Sequence, residues 1–265
     1  MVAVMGGHTG VVQHLLEQNA DTNHAAADGC TALMAAAFCG HVGLIRDLFR
    51  HGCSPLQVRK DNGASSLHIA ATLGHVDAVA ALLKGNAPAE AVRMDGSTSL
   101  LLAAQKGHTT VVRVLLAANA DPQHTNVEGT TPLAVAAHCG HLATVRLLLH
   151  AGASPNSGRL EVNLLTVLMR ASSNNHVEIC KLLGSSGVDL QAKSVDGRTA
   201  TDFAEEAGHL ELAAWLRRIS AMSSLQIALV CRMRADYAAA MRSGWADPDD
   251  CMSIATSVRA AYAGR

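Results

Sequence analysis

The stretch at residues 131–141, TPLAVAAHCGH, decides the fold of this chain, because related stretches recur along it. Residues 65–75, SSLHIAATLGH, share its hydroxyl residue, leucine, paired alanines and closing Gly-His. The closing pair recurs as Gly7-His8, Gly40-His41, Gly74-His75, Gly107-His108, Gly140-His141 and Gly208-His209, with Asn175-His176 as a variant. Successive histidines are 33 to 35 residues apart. A fixed period of this size predicts a solenoid, in which each repeat packs only on its neighbours.

Each repeat carries the signals of two helices. Ten residues before the histidine stands a hydroxyl residue suited to cap a helix: Thr31, Ser65, Thr98, Thr131, Thr166 or Thr199. Directly before the histidine, and again eleven residues after it, stand Gly or Asn, which tolerate the left-handed backbone that ends a helix. The second of these sites holds Asn19, Gly52, Asn86, Asn119, Gly152 and Gly187. An apolar stripe on the second helix is centred on Leu15, Leu48, Leu82, Leu115, Leu148, Leu183 and Leu216.

A polar stretch then leads to a tight turn at Asp28-Gly29, Asn62-Gly63, Asp95-Gly96, Glu128-Gly129 or Asp196-Gly197. This succession of turn, short helix, reverse turn, longer helix and loop resembles the ankyrin repeat. The resemblance extends over about residues 1–219 and recurs in seven units. It implies an all-α ankyrin-repeat solenoid, made of stacked helix-turn-helix units with β-hairpin or loop fingers and followed by a C-terminal helical segment.

The same alignment divides the chain into units. We expect a truncated first repeat over 1–27, repeats over 28–61, 62–94, 95–127 and 128–161, a divergent repeat over 162–195, a terminal repeat over 196–219, and a C-terminal helical hairpin or cap over 220–265. The first unit begins only seven residues before its histidine, so we expect either a fragment or an array with a stripped cap. In the divergent unit Leu164 replaces the turn glycine and Ser157-Gly158-Arg159 is inserted, which predicts a distorted finger.

Residues after the array do not follow the repeat. Apolar residues at helical spacing predict a helix over about 222–242, and Asp247-Pro248 marks the start of another. These helices either cover the open end of the stack or dock a partner. The segment from Leu225 to Arg234 weakly resembles the start of a SOCS box, which recruits a ubiquitin ligase scaffold, but the proline-led second half of that box is not evident.

Composition narrows the class of partner. A formal net charge of −1 and a charged fraction of 16% carry no signal for nucleic acid or for a membrane surface. The chain has seven cysteines and no C-x-x-C motif, which favours reduced thiols and an intracellular protein, cytoplasmic or nuclear. The expected partner is therefore another protein, whose identity the sequence does not indicate.

The fourteen histidines invite a metal interpretation, which the repeat disfavours. Seven of them belong to different repeats, about a repeat-width apart, and cannot converge on one ion. The ankyrin resemblance implies that they are structural residues of the inter-helix turn, able to hydrogen-bond nearby backbone. Since no zinc-protease, nucleophile-elbow or phosphate-loop motif is present either, we assign no catalytic, cofactor-binding or metal-binding residue and no cofactor.

The resemblance implies binding through the fingers and the concave face of the first helices. The candidate partner-binding residues are Phe38, Arg59, Lys60, Thr72, Leu73, Met94, Gln105, Lys106, His138, Glu205 and Glu206. They suggest either a groove that runs from apolar and basic to acidic, or an ordinary solvated surface. The leading hypothesis is a non-catalytic protein-interaction module or scaffold. The alternative is the substrate-targeting part of a larger enzyme, such as a ubiquitin ligase, kinase or acyltransferase.

Overall fold

The computed structural model describes residues 1–157 and 164–221, and helices dominate them. The fourteen helices of these residues are α1 Val2–Met5, α2 Thr9–Glu17, α3 Ala32–Cys39, α4 Val42–Arg50, α5 Ser66–Leu73, α6 Val76–Lys84, α7 Ser99–Lys106, α8 Thr109–Ala117, α9 Pro132–His138, α10 Leu142–His150, α11 Val167–Ser173, α12 Val177–Ser185, α13 Ala200–Glu206 and α14 Leu210–Ser220. The fingers contribute an isolated β-bridge between Val92 and Thr98 rather than continuous strands in this part of the chain. The predicted all-α solenoid is therefore confirmed.

Residues 1–216 form one compact unit, built as two layers of helices. The first helices of successive repeats, α3, α5, α7, α9, α11 and α13, pack side by side, and the second helices α2, α4, α6, α8, α10 and α12 do the same. The remaining residues belong to a second unit, of which the structure describes only 217–221, including the last turn of α14. The predicted helices after residue 221 thus lie outside the described residues, as does the predicted insertion at Ser157-Gly158-Arg159 apart from Ser157.

The hydroxyl residues of the repeat cap the first helices as predicted. The Oγ1 atoms of Thr31, Thr98 and Thr131 accept hydrogen bonds from the backbone N–H three residues later, at 3.2 to 3.3 Å. In the third repeat His68 completes a reciprocal cap, because its Nδ1 accepts the backbone N–H of Ser65 at 3.1 Å. These bonds satisfy amide groups that a helix N-terminus leaves without partners.

The predicted left-handed positions are also confirmed. Asn175, which stands before His176 where the other repeats have glycine before the histidine, has φ of 57°. Asn19, Asn86 and Asn119 have φ between 59° and 62°. Leu164, which stands where a turn glycine was expected, keeps the left-handed conformation with φ of 50°. Leu164 therefore adopts the backbone conformation of the glycine that it replaces, despite its unfavourable side chain.

The core is a row of leucines repeated from unit to unit. Leu48, Leu82, Leu115 and Leu148 are buried at the equivalent position of the second helices. Leu15, expected at the same position of the first repeat, is instead 48% exposed. Leu15 belongs to the first helix pair of the described residues, so no preceding helix pair lies among them to cover it.

Candidate protein-binding face

Most of the predicted binding residues lie at the ends of the first helices or in the fingers, which we take to form one face. We call this the groove face. It comprises Phe38, Thr72, Leu73, Gln105, Lys106 and His138 on the helices, and Arg59, Lys60 and Met94 on the fingers. The seventh repeat shows that a finger and its first helix share one side. There the finger residue Arg198 places its Nη1 2.7 Å from Oε2 of Glu206, at the end of α13.

Apolar side chains of the groove face are exposed to solvent. Phe38 is 55% exposed, Leu73 41% and Met94 66%. Thr72 differs, because it is half-buried and its hydroxyl donates to the carbonyl of His68 at 2.7 Å. Exposed large apolar side chains grouped on one face are typical of protein-binding surfaces.

The fingers are held together by backbone hydrogen bonds between repeats. The N–H of Lys60 donates to the carbonyl of Asp28 at 3.0 Å, and the N–H of Met94 donates to that of Asn62 at 3.0 Å. The next finger continues the pattern, with Val127 N–H donating to the carbonyl of Asp95 at 3.1 Å. The finger tips therefore form an ordered row, which limits the entropy lost when a partner binds.

The basic residues of the groove face differ in availability. The guanidinium of Arg59 binds both carboxylate oxygens of Asp61, at 2.8 and 3.0 Å, and lies 3.5 Å from Asp28. This pairing raises the pKa of Arg59 and lowers that of Asp61. Lys60 and Lys106, by contrast, are exposed and form no ion pair with any residue in the described part of the chain. These two lysines are the cations that this face offers freely to a partner.

Glu205 and Glu206, which were expected to form the acidic end of the groove, are not both available to a partner. Counting back from Gly208 shows that Glu206, not Glu205, is the counterpart of Phe38. Glu206 is occupied by its ion pair with Arg198, whose guanidinium also covers the ring of Phe203 at 4.6 Å. Glu205 is half-buried, one position earlier on the same helix.

The histidines that close the Gly-His or Asn-His pair of each repeat, which we call the histidine ladder, connect neighbouring repeats through the backbone of the first helices. The Nε2–H groups of His75, His108, His141 and His176 donate to carbonyl oxygens of the preceding repeat, at 2.9 to 3.1 Å. The acceptors are the carbonyls of Phe38, Thr72, Gln105 and His138 respectively. These histidines are the same in every repeat, yet they bind the backbone of residues whose side chains differ between repeats. Their hydrogen bonds therefore link neighbouring repeats and do not only stabilise the turn within one repeat.

One relevant residue escaped the sequence analysis. Arg170 lies on α11, and its charge helps to lower the pKa of His138, after burial and together with His176. Burial also lowers the pKa of Arg170 itself. A signal was available, because the equivalent residues of the preceding repeats are all apolar: Ala35, Ile69, Leu102 and Val135.

Within 1–157 and 164–221, no three His, Cys, Asp or Glu side chains come together in an arrangement that could hold a metal ion. None of the helices described there has the length and hydropathy needed to cross a membrane.

The described helices and fingers define the class of protein. It is a solenoid of paired helices whose fingers are joined by backbone hydrogen bonds. Models of the ankyrin repeat match residues 1–92, 84–159 and 163–195, so the chain belongs to the ankyrin repeat family. The crystal structure of the human ASB11 ankyrin repeat domain is similar, with 27% sequence identity and a TM-score of 0.70. That match covers 78% of this chain and 95% of the other. Ankyrin repeats are in general non-catalytic modules of protein–protein interaction.

Proposed function

We propose that this chain binds a partner protein through the groove face, and that the partner presents an extended segment. The observation that carries the proposal is the combination of exposed apolar side chains with unpaired lysines. Phe38, Leu73 and Met94 supply apolar contact area. Lys60 and Lys106 supply positive charge. The ordered backbone beneath these side chains favours binding, since little of it has to become rigid.

The charge distribution indicates which part of the array lies beneath the acidic residues of the partner segment. Free positive charge of the groove face is located in the second and fourth repeats, at Lys60 and Lys106. In the seventh repeat Glu206 is neutralised by Arg198. We therefore expect acidic residues of the partner to lie over the middle of the array. This differs from a groove that is basic at one end and acidic at the other.

The test is a selection of random linear peptides displayed on phage, with the full chain as bait. We expect binding peptides to be obtained, and Phe38→Glu combined with Lys106→Glu to abolish their binding. The control variant is Arg113→Glu, which reverses an exposed charge on the second-helix layer and should leave binding unchanged. Unaltered melting temperatures establish that the variants are folded. Peptides that bind the double variant as tightly as the unaltered chain would refute the assignment of this face.

A further inference from the structure

The first helices carry one side chain per repeat at an equivalent position, and all of these residues are buried or half-buried. The residue four positions after the N-cap is Ala35, Ile69, Leu102 or Val135 in repeats two to five, Arg170 in the sixth and Phe203 in the seventh. Five of these six residues are apolar. Arg170 is therefore a single positive charge in an otherwise apolar row, where burial makes a charge costly.

Other arginines near the fingers have acidic partners, and Arg170 does not. Arg59 pairs with Asp61, and Arg198 pairs with both Asp196 and Glu206. The Nε and Nη2 atoms of Arg170 are buried without a hydrogen-bond partner. No carboxylate of the described residues lies within ion-pair distance of this guanidinium, and Glu128 acts on it only at longer range. The side chain is partly exposed, so it can still be reached from the groove.

The neighbouring groups add a second donor. Nδ2 of Asn174 donates to Nδ1 of His138 at 2.9 Å and to its carbonyl at 3.0 Å. Because Nδ1 accepts this bond, the neutral ring of His138 carries its proton on Nε2. His138 is exposed, so that N–H is directed to a partner or to solvent and not to Asn174.

From this arrangement we propose that Arg170 and His138 form a carboxylate-binding site, which receives an aspartate or glutamate side chain of the bound protein segment. The inference rests on the proposed function and deepens it by naming one residue class of the partner. Arginine suits this role because its planar donors match the two oxygens of a carboxylate. A turn about the last side-chain bonds of Arg170 presents its unpaired N–H groups to the arriving acid, which compensates the charge.

Thermal unfolding of the free chain tests whether the guanidinium is truly uncompensated. Arg170→Leu restores the apolar row, and we expect it to raise the melting temperature, since it removes a part-buried unpaired charge. Arg59→Leu is the matched control, and we expect it to lower or leave unchanged the melting temperature, because that arginine already has acidic partners. A clear fall for Arg170→Leu would show that the chain itself already compensates Arg170, and would overturn the proposal.

The binding test uses the peptides selected by phage display on the full chain. We expect one peptide position to be enriched in Asp and Glu, and replacement of that acid by its amide to weaken binding about tenfold to a hundredfold. In the Arg170→Leu variant this acid-to-amide difference should disappear, whereas in Arg113→Leu, which changes an exposed residue of the second-helix layer, it should persist. Peptides that bind the groove face without such a position, or with one insensitive to Arg170→Leu, would overturn the carboxylate site and leave the proposed function standing. Failure of all peptides to depend on Phe38 and Lys106 would refute the proposed function instead.

Discussion

Gly107 combines two separate constraints, and its replacement by alanine should measure both. Its φ of 72° is left-handed, which costs an alanine about 1–2 kcal/mol. A Cβ at this position would also lie 2.5 Å from Nδ1 of His141, the ladder histidine of the next repeat. The ring must then move, which puts at risk its 3.0 Å hydrogen bond to the carbonyl of Gln105, worth about 0.5–1.5 kcal/mol. We expect Gly107→Ala to lower the free energy of unfolding by about 2–3 kcal/mol in total.

Gly152 provides the matched control. Its φ is 88°, yet a Cβ there would meet no atom within 4 Å, so Gly152→Ala should cost only the backbone strain, about 1–2 kcal/mol. Urea unfolding followed by circular dichroism measures both variants. Combining Gly107→Ala with His141→Ala should remove the steric part, giving a coupling energy of about 1 kcal/mol. Equal losses for Gly107→Ala and Gly152→Ala, together with no coupling to His141, would refute the argument that glycine is needed here for contact between repeats.

Two further predictions concern the core. Leu115→Ala should lower the free energy of unfolding by about 2–5 kcal/mol because the side chain is fully buried. Leu15→Ala, at the equivalent exposed position, should lower it by less than about 1 kcal/mol. Equal losses in urea unfolding would contradict the burial pattern. Burial lowers the pKa of His68 to about 4 from its ordinary value of 6.5. The unfolded chain therefore binds a proton at this residue before the folded chain does. The free energy of unfolding should fall by about 3 kcal/mol as pH drops from about 6.5 to about 4. His68→Met, which copies Met34 and Met169 of the equivalent positions, should flatten this part of the pH profile measured by thermal unfolding; an unchanged profile would show that His68 does not titrate as described.

Local features of the fold were predictable because each depends on a few neighbouring residues. The caps at Thr31 and Thr131 follow from a hydroxyl group placed three residues before a free amide. The left-handed backbone at Asn175 follows from the tolerance of Asn for positive φ. Both are properties of short segments, so the repeat pattern was sufficient to assign them.

Features of the candidate site were less predictable because they depend on which side chains the packing brings together, both within a finger and between neighbouring repeats. Arg59 and Lys60 are adjacent in sequence and both positively charged, yet only Arg59 is engaged by Asp61 and Asp28. Arg170 differs from the apolar residues at its equivalent positions, but only the packing shows that its guanidinium has lost water without gaining an acidic partner.

The sequence by itself determined the repeat, the positions of the helix ends and the family, since period, capping residues and positive-φ residues act locally. Only the tertiary structure decided that His141 reaches the carbonyl of Gln105 in the preceding repeat, that Leu15 is exposed while Leu115 is buried, and which charges remain free. The physical reason is that burial and pairing depend on what stacking brings alongside each residue, and the same sequence position meets a different neighbour in each repeat.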